Sequence, residues 1–214
     1  MIVLAFDTCL SACSAAVTQD GRVLAAASDP MERGHQERLA TLVQDLMAEA
    51  GVAFADVDRI GVTVGPGSFT GLRVGLAFAK GLGLALDRPV VGVGTLEALA
   101  ASLDPRAFVA AAIDARREQL YLQVFSAGVA LTAPEALTAG DAASRLTELY
   151  AGDSALLVGS GAHFLEHVIP GAVSSGRLAP DPVAVARLTA EAPAPSASAP
   201  RPLYLRAPDA RLPA

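Results

Sequence analysis

The chain opens with three short apolar runs of strand length. They span Ile2 to Phe6, Ala12 to Thr18 and Arg22 to Ser28. Asp20-Gly21 separates the last two runs, and this dipeptide favours a tight hairpin because both positions tolerate a positive φ. The pattern predicts three consecutive strands, of which the second and third form a hairpin.

The apolar period then changes to that of a helix. Apolar residues recur three or four positions apart from Gln36 to Ala50, and Gly51 follows as a C-terminal stop. A buried strand over Ile60 to Val64 comes next. It is followed by a helix over Phe69 to Leu86 with Ser68 as its N-cap. The chain therefore passes from strands to alternating helices and strands.

A strand over Pro89 to Val93 and a short helix, capped by Thr95 and ending near Ser102, complete the first half. The second half repeats this order more loosely, with strands at 108–113, 120–125 and 156–158, a helix at 139–150, and a last helix opened by Asp181-Pro182.

Three strands followed by alternating helices and strands, given twice, predict an α/β chain with the actin-like ATPase (ASKHA, RNase H-like) fold in two related βββαβα-type halves. We predict subdomains at 1–103 and 104–192 and a Pro/Ala-rich tail at 193–214. Within the tail, Leu203 to Arg206 is an apolar clip expected to dock on the body. A fold of this kind does not by itself fix the function.

Composition narrows the function classes. The 214 residues are 52% apolar and carry a net charge of −6, which argues against a chain that grips a phosphate backbone directly. Cys9 and Cys13 are too few for a disulfide framework. Arg73 and Lys80 interrupt the apolar segment from Phe69 to Leu86. We therefore expect a soluble, cytoplasmic protein with no signal peptide and no membrane span.

Four glycines in eleven residues mark the segment GPGSFTGLRVG, which begins at Gly65. A P-loop would place its second glycine where Thr70 stands and would continue with a lysine, and neither condition is met. The dinucleotide fingerprint G-x-G-x-x-G also fails, because its third glycine arrives one residue late, at Gly71. The segment therefore matches neither nucleotide motif.

A row of small residues follows in the same helix, four positions apart: Gly71, Gly75, Ala79 and Gly83. Such a row lies on one face of a helix and allows another element to approach closely. From the row alone, packing within the chain is favoured over packing against a second chain.

The ends of the first strand of each half are the candidate nucleotide cleft. Actin-like ATPases hold Mg²⁺ and phosphates there with an acid and a glycine-rich turn, but the turn in this chain has Leu10 and no glycine. We interpret the cleft as eroded and expect no firm cofactor, with weak binding of ATP or ADP left open. The candidate residues are Asp7, Thr8 and Asp114, together with Gly159 and Gly161 of a later Gly-Ser-Gly turn that could face adenosine but is also common as a plain loop.

Six segments carry a resemblance to a known family: LAFDTCLSACSAAV, RGHQERLATLVQDLM, GVTVGPGSFTGLRVGLAFAKGLGLAL, VVGVGTLEALA, AAIDARREQLYLQVF and PLYLR. They resemble the TsaB family, also called YeaZ. The resemblance implies a non-catalytic scaffold subunit in the formation of N6-threonylcarbamoyladenosine at tRNA position 37. It also implies pairing with the catalytic paralogue TsaD, self-pairing when TsaD is absent, the ATPase TsaE as a further partner, and contact with tRNA only through the complex.

The resemblance reverses the preference for internal packing of the small-residue row, because the family pairs through the two long helices. The implied partner interface consists of His35, Leu39, Leu42, Val43, Leu46, Phe69, Gly71, Leu72, Gly75, Leu76 and Ala79. The paralogue's metal-binding histidine pair is reduced here to one histidine, so no metal is expected. The alternative function is a weak ATPase or kinase-like phosphotransferase that uses Asp7 and Asp114, and a metallopeptidase ranks last.

Overall fold

The computed structural model describes residues 1–150, 155–193 and 200–206, which form two mixed sheets and five α-helices. The N-terminal sheet has the order β3-β2-β1-β4-β5, with strands Ile2–Asp7 (β1), Ala12–Gln19 (β2), Arg22–Pro30 (β3), Arg59–Thr63 (β4) and Val90–Val93 (β5). The C-terminal sheet has the order β11-β10-β6-β7-β8, with strands Phe108–Arg116 (β6), Gln119–Ser126 (β7), Val129–Ala130 (β8), Ala155–Val158 (β10) and Val173–Ser174 (β11). Strand β9, Glu135–Thr138, pairs with β7. The helices are His35–Ala50 (α1), Phe69–Leu86 (α2), Thr95–Ala101 (α3), Ala139–Leu149 (α4) and Pro182–Glu191 (α5).

Both sheets follow the same strand plan. The central strand β1 is antiparallel to β2 and parallel to β4, and the central strand β6 is antiparallel to β7 and parallel to β10. The predicted repetition of the first half in the second is therefore confirmed. The sequence pattern missed β8, β9 and β11, because strands of two to four residues are too short to show a period.

Most local signals in the first half have the predicted effect. Asp20 and Gly21 have φ values of 50° and 81° in the hairpin between β2 and β3, and Ser68 caps α2 by accepting a hydrogen bond from Gly71 N. The predicted cap at Thr95 is wrong, because Gly94 is the N-cap of α3 and Thr95 is its first residue. The Thr95 side chain is fully buried, and no side-chain hydrogen bond caps the start of α3.

Two helices cross from one half to the other. Leu96 and Leu99 of α3 pack on the C-terminal sheet beside Val109, whereas Val185 of α5 packs on the N-terminal sheet beside Val3. Helices α1 and α2 cover the opposite face of the N-terminal sheet, and α4 covers the remaining face of the C-terminal sheet. The two sheets are therefore interlocked by helices that each half lends to the other.

The row of small residues on α2 packs against the chain's own strands. Thr8 Oγ1 donates a hydrogen bond to Gly71 O at 2.7 Å, and a Cβ added at Gly75 would lie 2.6 Å from Thr8 Oγ1 and 3.3 Å from Val62 Cγ2. Gly83 faces Val90 in the same way. Within this chain the row is an internal packing groove, and its part in a partner interface stays a prediction.

Ten of the eleven side chains or glycines implied as a partner interface are buried within this chain, and Phe69 is the exception at 52% exposed. Side chains that lie under their own sheet offer little surface to another chain while the fold is intact. The buried residues are His35, Leu39, Leu42, Val43, Leu46, Gly71, Leu72, Gly75, Leu76 and Ala79.

By length and composition alone, α2 is the one helix among the described residues that could cross a membrane, and 33% of its 18 residues are buried in the fold. Its buried side packs on β4 and on the turn after β1. Arg73 and Lys80 lie on its exposed side. Helix α2 is thus a helix of the folded core with one side exposed to solvent.

Replacing Gly75 by alanine should lower the free energy of unfolding by about 1–3 kcal/mol, because the new Cβ would press on the Thr8 hydroxyl. Gly81 provides the matched control, since it is exposed on the same helix with open space around its Cα. Gly81→Ala should raise stability by about 0.5–1 kcal/mol through helix propensity. Urea denaturation followed by circular dichroism measures both changes, and a Gly75→Ala protein as stable as the wild type would contradict this packing.

Candidate functional site

A buried acid lies at the carboxyl end of β1. Asp7 is 0% exposed, and its Oδ1 accepts hydrogen bonds from Thr63 Oγ1 at 2.5 Å and from Cys9 N at 3.0 Å. Its Oδ2 has no hydrogen-bond partner among the described residues. The first strand therefore ends in a carboxyl group that is enclosed by protein and only partly satisfied.

Burial raises the pKa of Asp7 above its ordinary value, while the hydrogen bonds from Thr63 and Cys9 and the charge of His35 act in the opposite direction. Burial also raises the pKa of the Cys9 thiol, and the neighbouring Asp7 charge adds to this effect. A carboxyl group held toward its neutral form is a poor ligand for Mg²⁺, and a thiol held protonated is a poor nucleophile.

The backbone after β1 is occupied by the chain itself. Ser68 N donates to Cys9 O at 2.7 Å, and the Thr8 hydroxyl donates to the Gly71 carbonyl. A Cβ added at Gly67 would lie 3.0 Å from Cys9 Cβ. The turn that would face phosphates in an actin-like ATPase thus binds the N-terminus of α2 instead.

His35 begins α1 and is 7% exposed, with its Nε2 3.2 Å from Leu10 O. Leu39, one turn further along, is 1% exposed and packs in the core. Within the part of the chain that the structure describes, no group of three or more His, Cys, Asp or Glu side chains is placed to hold a metal ion.

Asp114 has a different environment from Asp7, although the two occupy matching strands. Asp114 is exposed, its Oδ1 accepts from Arg116 N at 2.7 Å, and its own N–H donates to Ser160 Oγ at 3.1 Å. Gly161 N donates to Ala112 O at 2.9 Å, and a Cβ at Gly161 would lie 2.9 Å from Leu120 Cδ2.

Gly159 has a φ of 98° and a Cβ there would collide with the Ala112 carbonyl oxygen. Close packing on β6 therefore explains both Gly159 and Gly161 without a ligand. The structure gives Asp7 and Asp114 contrasting surroundings, and binding of ATP or ADP by this set stays a prediction.

Two threonines at this edge were missed by sequence reasoning. Thr63 ends β4, whose pairing with β1 aligns Val62 with Phe6 and so places Thr63 beside Asp7. The usable signal was the adjacency of the carboxyl ends of parallel strands at one edge of a sheet. Thr95 is also fully buried, and its hydroxyl has no hydrogen-bond partner among the residues described.

An open groove of about 520 Å³ runs between the solvent-facing sides of α1 and α2. At the rim of this groove, the Arg73 guanidinium carbon lies 3.7 Å from the centre of the Phe69 ring. The lining is mostly apolar and consists of Gln36, Leu39, Phe69, Thr70, Arg73, Val74, Ala77 and Phe78.

Comparison with known proteins identifies the family. A family model described as TsaD, tRNA N6-adenosine threonylcarbamoyltransferase, matches residues 29–154, which is more than half of the chain. The structure of YeaZ from Pseudomonas aeruginosa matches with a TM-score of 0.76 at 32% identity and covers 88% of this chain and 90% of that one. The chain belongs to the TsaB/YeaZ family. The resemblance carried by the sequence motifs is confirmed.

Other relatives of the chain align over different lengths. The Escherichia coli (strain K12) tRNA threonylcarbamoyladenosine biosynthesis protein TsaB is 39% identical over 124 residues, which are 56% of this chain and 53% of that protein. The match thus spans about half of that relative. An uncharacterized protein of Mycobacterium tuberculosis (strain ATCC 25618 / H37Rv) is 34% identical over 211 residues, 98% of this chain and 93% of its own.

More distant structures support the fold alone. The ethanolamine utilization protein EutJ from Carboxydothermus hydrogenoformans matches with a TM-score of 0.54 at 11% identity and covers 87% of this chain and 89% of that one. The activator of the 2-hydroxyisocaproyl-CoA dehydratase from Clostridium difficile matches at 0.55 with 9% identity, over 89% and 93% of the two chains. The predicted actin-like fold is confirmed for this TsaB/YeaZ family member.

Replacing Asp7 by asparagine should change how stability depends on pH. The raised pKa means that the folded state keeps this proton above the ordinary value of 3.8, so the stability linked to it is present below that pH and is lost as the pH rises through the folded pKa. The asparagine side chain in the Asp7→Asn variant does not titrate, and its carbonyl oxygen can still accept the hydrogen bonds from Thr63 and Cys9. The stability of the variant relative to wild type should therefore increase from about pH 4 upward, by about 1.4 kcal/mol for each pH unit until the folded pKa is reached.

Urea denaturation of both proteins between about pH 4 and pH 8 measures this difference, in which the other titrating groups cancel. A stability difference that stays constant across the range would show that Asp7 titrates in the folded protein as it does in the unfolded chain.

Proposed function

We propose that this chain is a non-catalytic subunit of the machinery that forms N6-threonylcarbamoyladenosine at tRNA position 37, and that it binds and supports a TsaD-type catalytic subunit. Membership of the TsaB/YeaZ family supports a role of this chain in that tRNA modification pathway. The observation that carries the scaffold role is the open apolar groove between α1 and α2 on a chain whose Asp7 site is closed.

The proposed contact surface is the solvent side of α1 and α2, in place of the buried side that the sequence had suggested. Thr70, Ala77 and Leu84 are seven residues apart on α2 and all are exposed, a spacing that suits side-by-side packing with another helix. Leu84 is 87% exposed, and its burial in an interface would contribute about 1.5–3 kcal/mol.

A TsaD-type subunit suits this surface because of shared architecture. The TsaD family model matches the stretch of this chain that holds α1 and α2, so a TsaD-type subunit would present a comparable pair of helices. Two such pairs can pack face to face, and two copies of this chain could do the same when the catalytic subunit is absent. We expect TsaE and tRNA to join through the complex, in the cytoplasm, since the net charge of −6 disfavours direct tRNA binding.

The competing function is a weak ATPase or kinase-like phosphotransferase. It would require an ionised, accessible carboxylate to hold Mg²⁺ near the phosphates. The 0% exposure of Asp7 and its raised pKa favour the scaffold role over this one.

Thr70, Ala77 and Leu84 form an exposed stripe on α2. Introducing a charge on this stripe should block partner binding and leave the fold intact. Ala77→Glu and Leu84→Glu each place a carboxylate where an apolar contact would form, and we expect each to weaken binding to a purified TsaD-type subunit by at least about 100-fold. Leu178→Glu is the matched control, since Leu178 is 52% exposed but lies far along the chain from α1 and α2. Isothermal titration calorimetry measures binding, and circular dichroism checks the fold.

Wild-type affinity in both stripe variants would refute the proposed surface. If even the wild-type chain failed to bind the TsaD-type subunit, the scaffold function itself would be wrong.

The isolated chain should not turn over ATP above the level of a buffer blank, because Asp7 is enclosed. Phosphate release from ATP with Mg²⁺ measures this, with Asp7→Asn as the paired variant. Turnover by the wild type that Asp7→Asn abolishes would favour the phosphotransferase alternative.

A further inference from the structure

Residues 200–206, here called the strap, run from one sheet to the other. Leu203 N donates to Val64 O at 2.7 Å, immediately after β4 of the N-terminal sheet. Arg206 Nη1 donates to Ala115 O at 3.1 Å and to Gln119 Oε1 at 3.4 Å, in β6 and β7 of the C-terminal sheet. The predicted docking of the 203–206 clip is confirmed, and its two ends hold different sheets.

The middle of the strap is anchored on α2. The ring of Tyr204 lies 5.8 Å from that of Phe69, and Arg73 Nε donates to Tyr204 OH at 3.4 Å. At the strap's start, a Cβ added at Gly92 would lie 2.8 Å from Pro200 Cβ, which places the strap against β5. The contacts thus pass from β5 over β4 and α2 to the hairpin between β6 and β7.

This path follows the carboxyl edge of both sheets, where β1, β4 and β5 end in one sheet and β6 ends in the other. Ligands of open α/β sheets bind in the crevice outside the carboxyl ends of the strands. The strap places its own main chain at that position, and Val64, to which it bonds, directly follows Thr63, the hydrogen-bond partner of Asp7.

We propose that the strap is an intramolecular latch that ties the hairpin between β6 and β7 to the segment after β4 and closes the shared carboxyl edge of the two sheets. In the latched state the edge is covered by residues 200–206. In the released state the hairpin between β6 and β7 separates from the segment after β4, and the carboxyl edge beside Val64 becomes open to solvent and to ligands.

The rest of the fold does not need the strap. Arg59 Nη1 donates to Ala192 O at 2.8 Å and to Thr189 O at 3.3 Å, which holds the end of α5 on the N-terminal sheet. Since α5 and α3 already interlock the two halves, a chain without the strap should remain folded.

Hydrogen exchange measured by mass spectrometry on the full chain tests the latch. Arg206→Ala removes the two hydrogen bonds to the hairpin, and we expect exchange to quicken by about tenfold both at 115–119 and at 64–71, on the two sides of the edge. Arg201→Ala is the control, because Arg201 is an exposed arginine of the same strap, and it should leave both segments unchanged. The β2–β3 hairpin is the internal reference.

A chain that ends at Pro193 is the second variant, and it should show the same two-sided increase with an unchanged circular dichroism spectrum. Faster exchange at 115–119 alone would overturn the proposal, because the strap would then be a local contact. Unchanged exchange at 64–71 in both variants, or global unfolding of the shortened chain, would also overturn it.

Discussion

The close approach of α2 to the turn after β1 determines much of this molecule. The Thr8 hydroxyl donates to the carbonyl oxygen of Gly71, and at Gly75 there is no room for even a methyl group. Because the face of α2 that carries Gly71 and Gly75 packs inward, Phe69 and Leu84 are left on the solvent side. One packing constraint therefore both closes the end of β1 and creates the apolar surface between α1 and α2.

The same constraint determines the surroundings of the acid at the end of the first strand. In this chain the acid at the end of the first strand is retained, but Asp7 is bonded to Thr63 and covered, and the backbone at Thr8 and Cys9 is bonded to the start of α2. In this chain, the end of the first strand thus serves to hold β4 and the start of α2 in place. The fold alone therefore does not fix the function, because one fold supports many activities.

Local elements of the first half could be read from the sequence because their signals are short-range. The Asp20-Gly21 turn, the cap at Ser68 and the stop at Gly51 depend on the conformations of single residues and their near neighbours. The family was also readable, since its motifs lie in continuous segments such as GPGSFTGLRVG. The order and type of the long helices and strands followed from the apolar period alone.

Which face of each helix is buried was decided only by the tertiary structure. The sequence shows that α2 has a row of small residues and a second apolar face, and either could meet a partner, because periodicity does not say what covers a face. The register of β1 beside β4 placed Thr63 at Asp7, and the fold brought Arg206 to the β6–β7 hairpin. By itself the sequence determined the elements and the family. The tertiary structure decided the buried face of α2, the closure of the Asp7 site and the path of the strap, because those depend on contacts between residues that are distant along the chain.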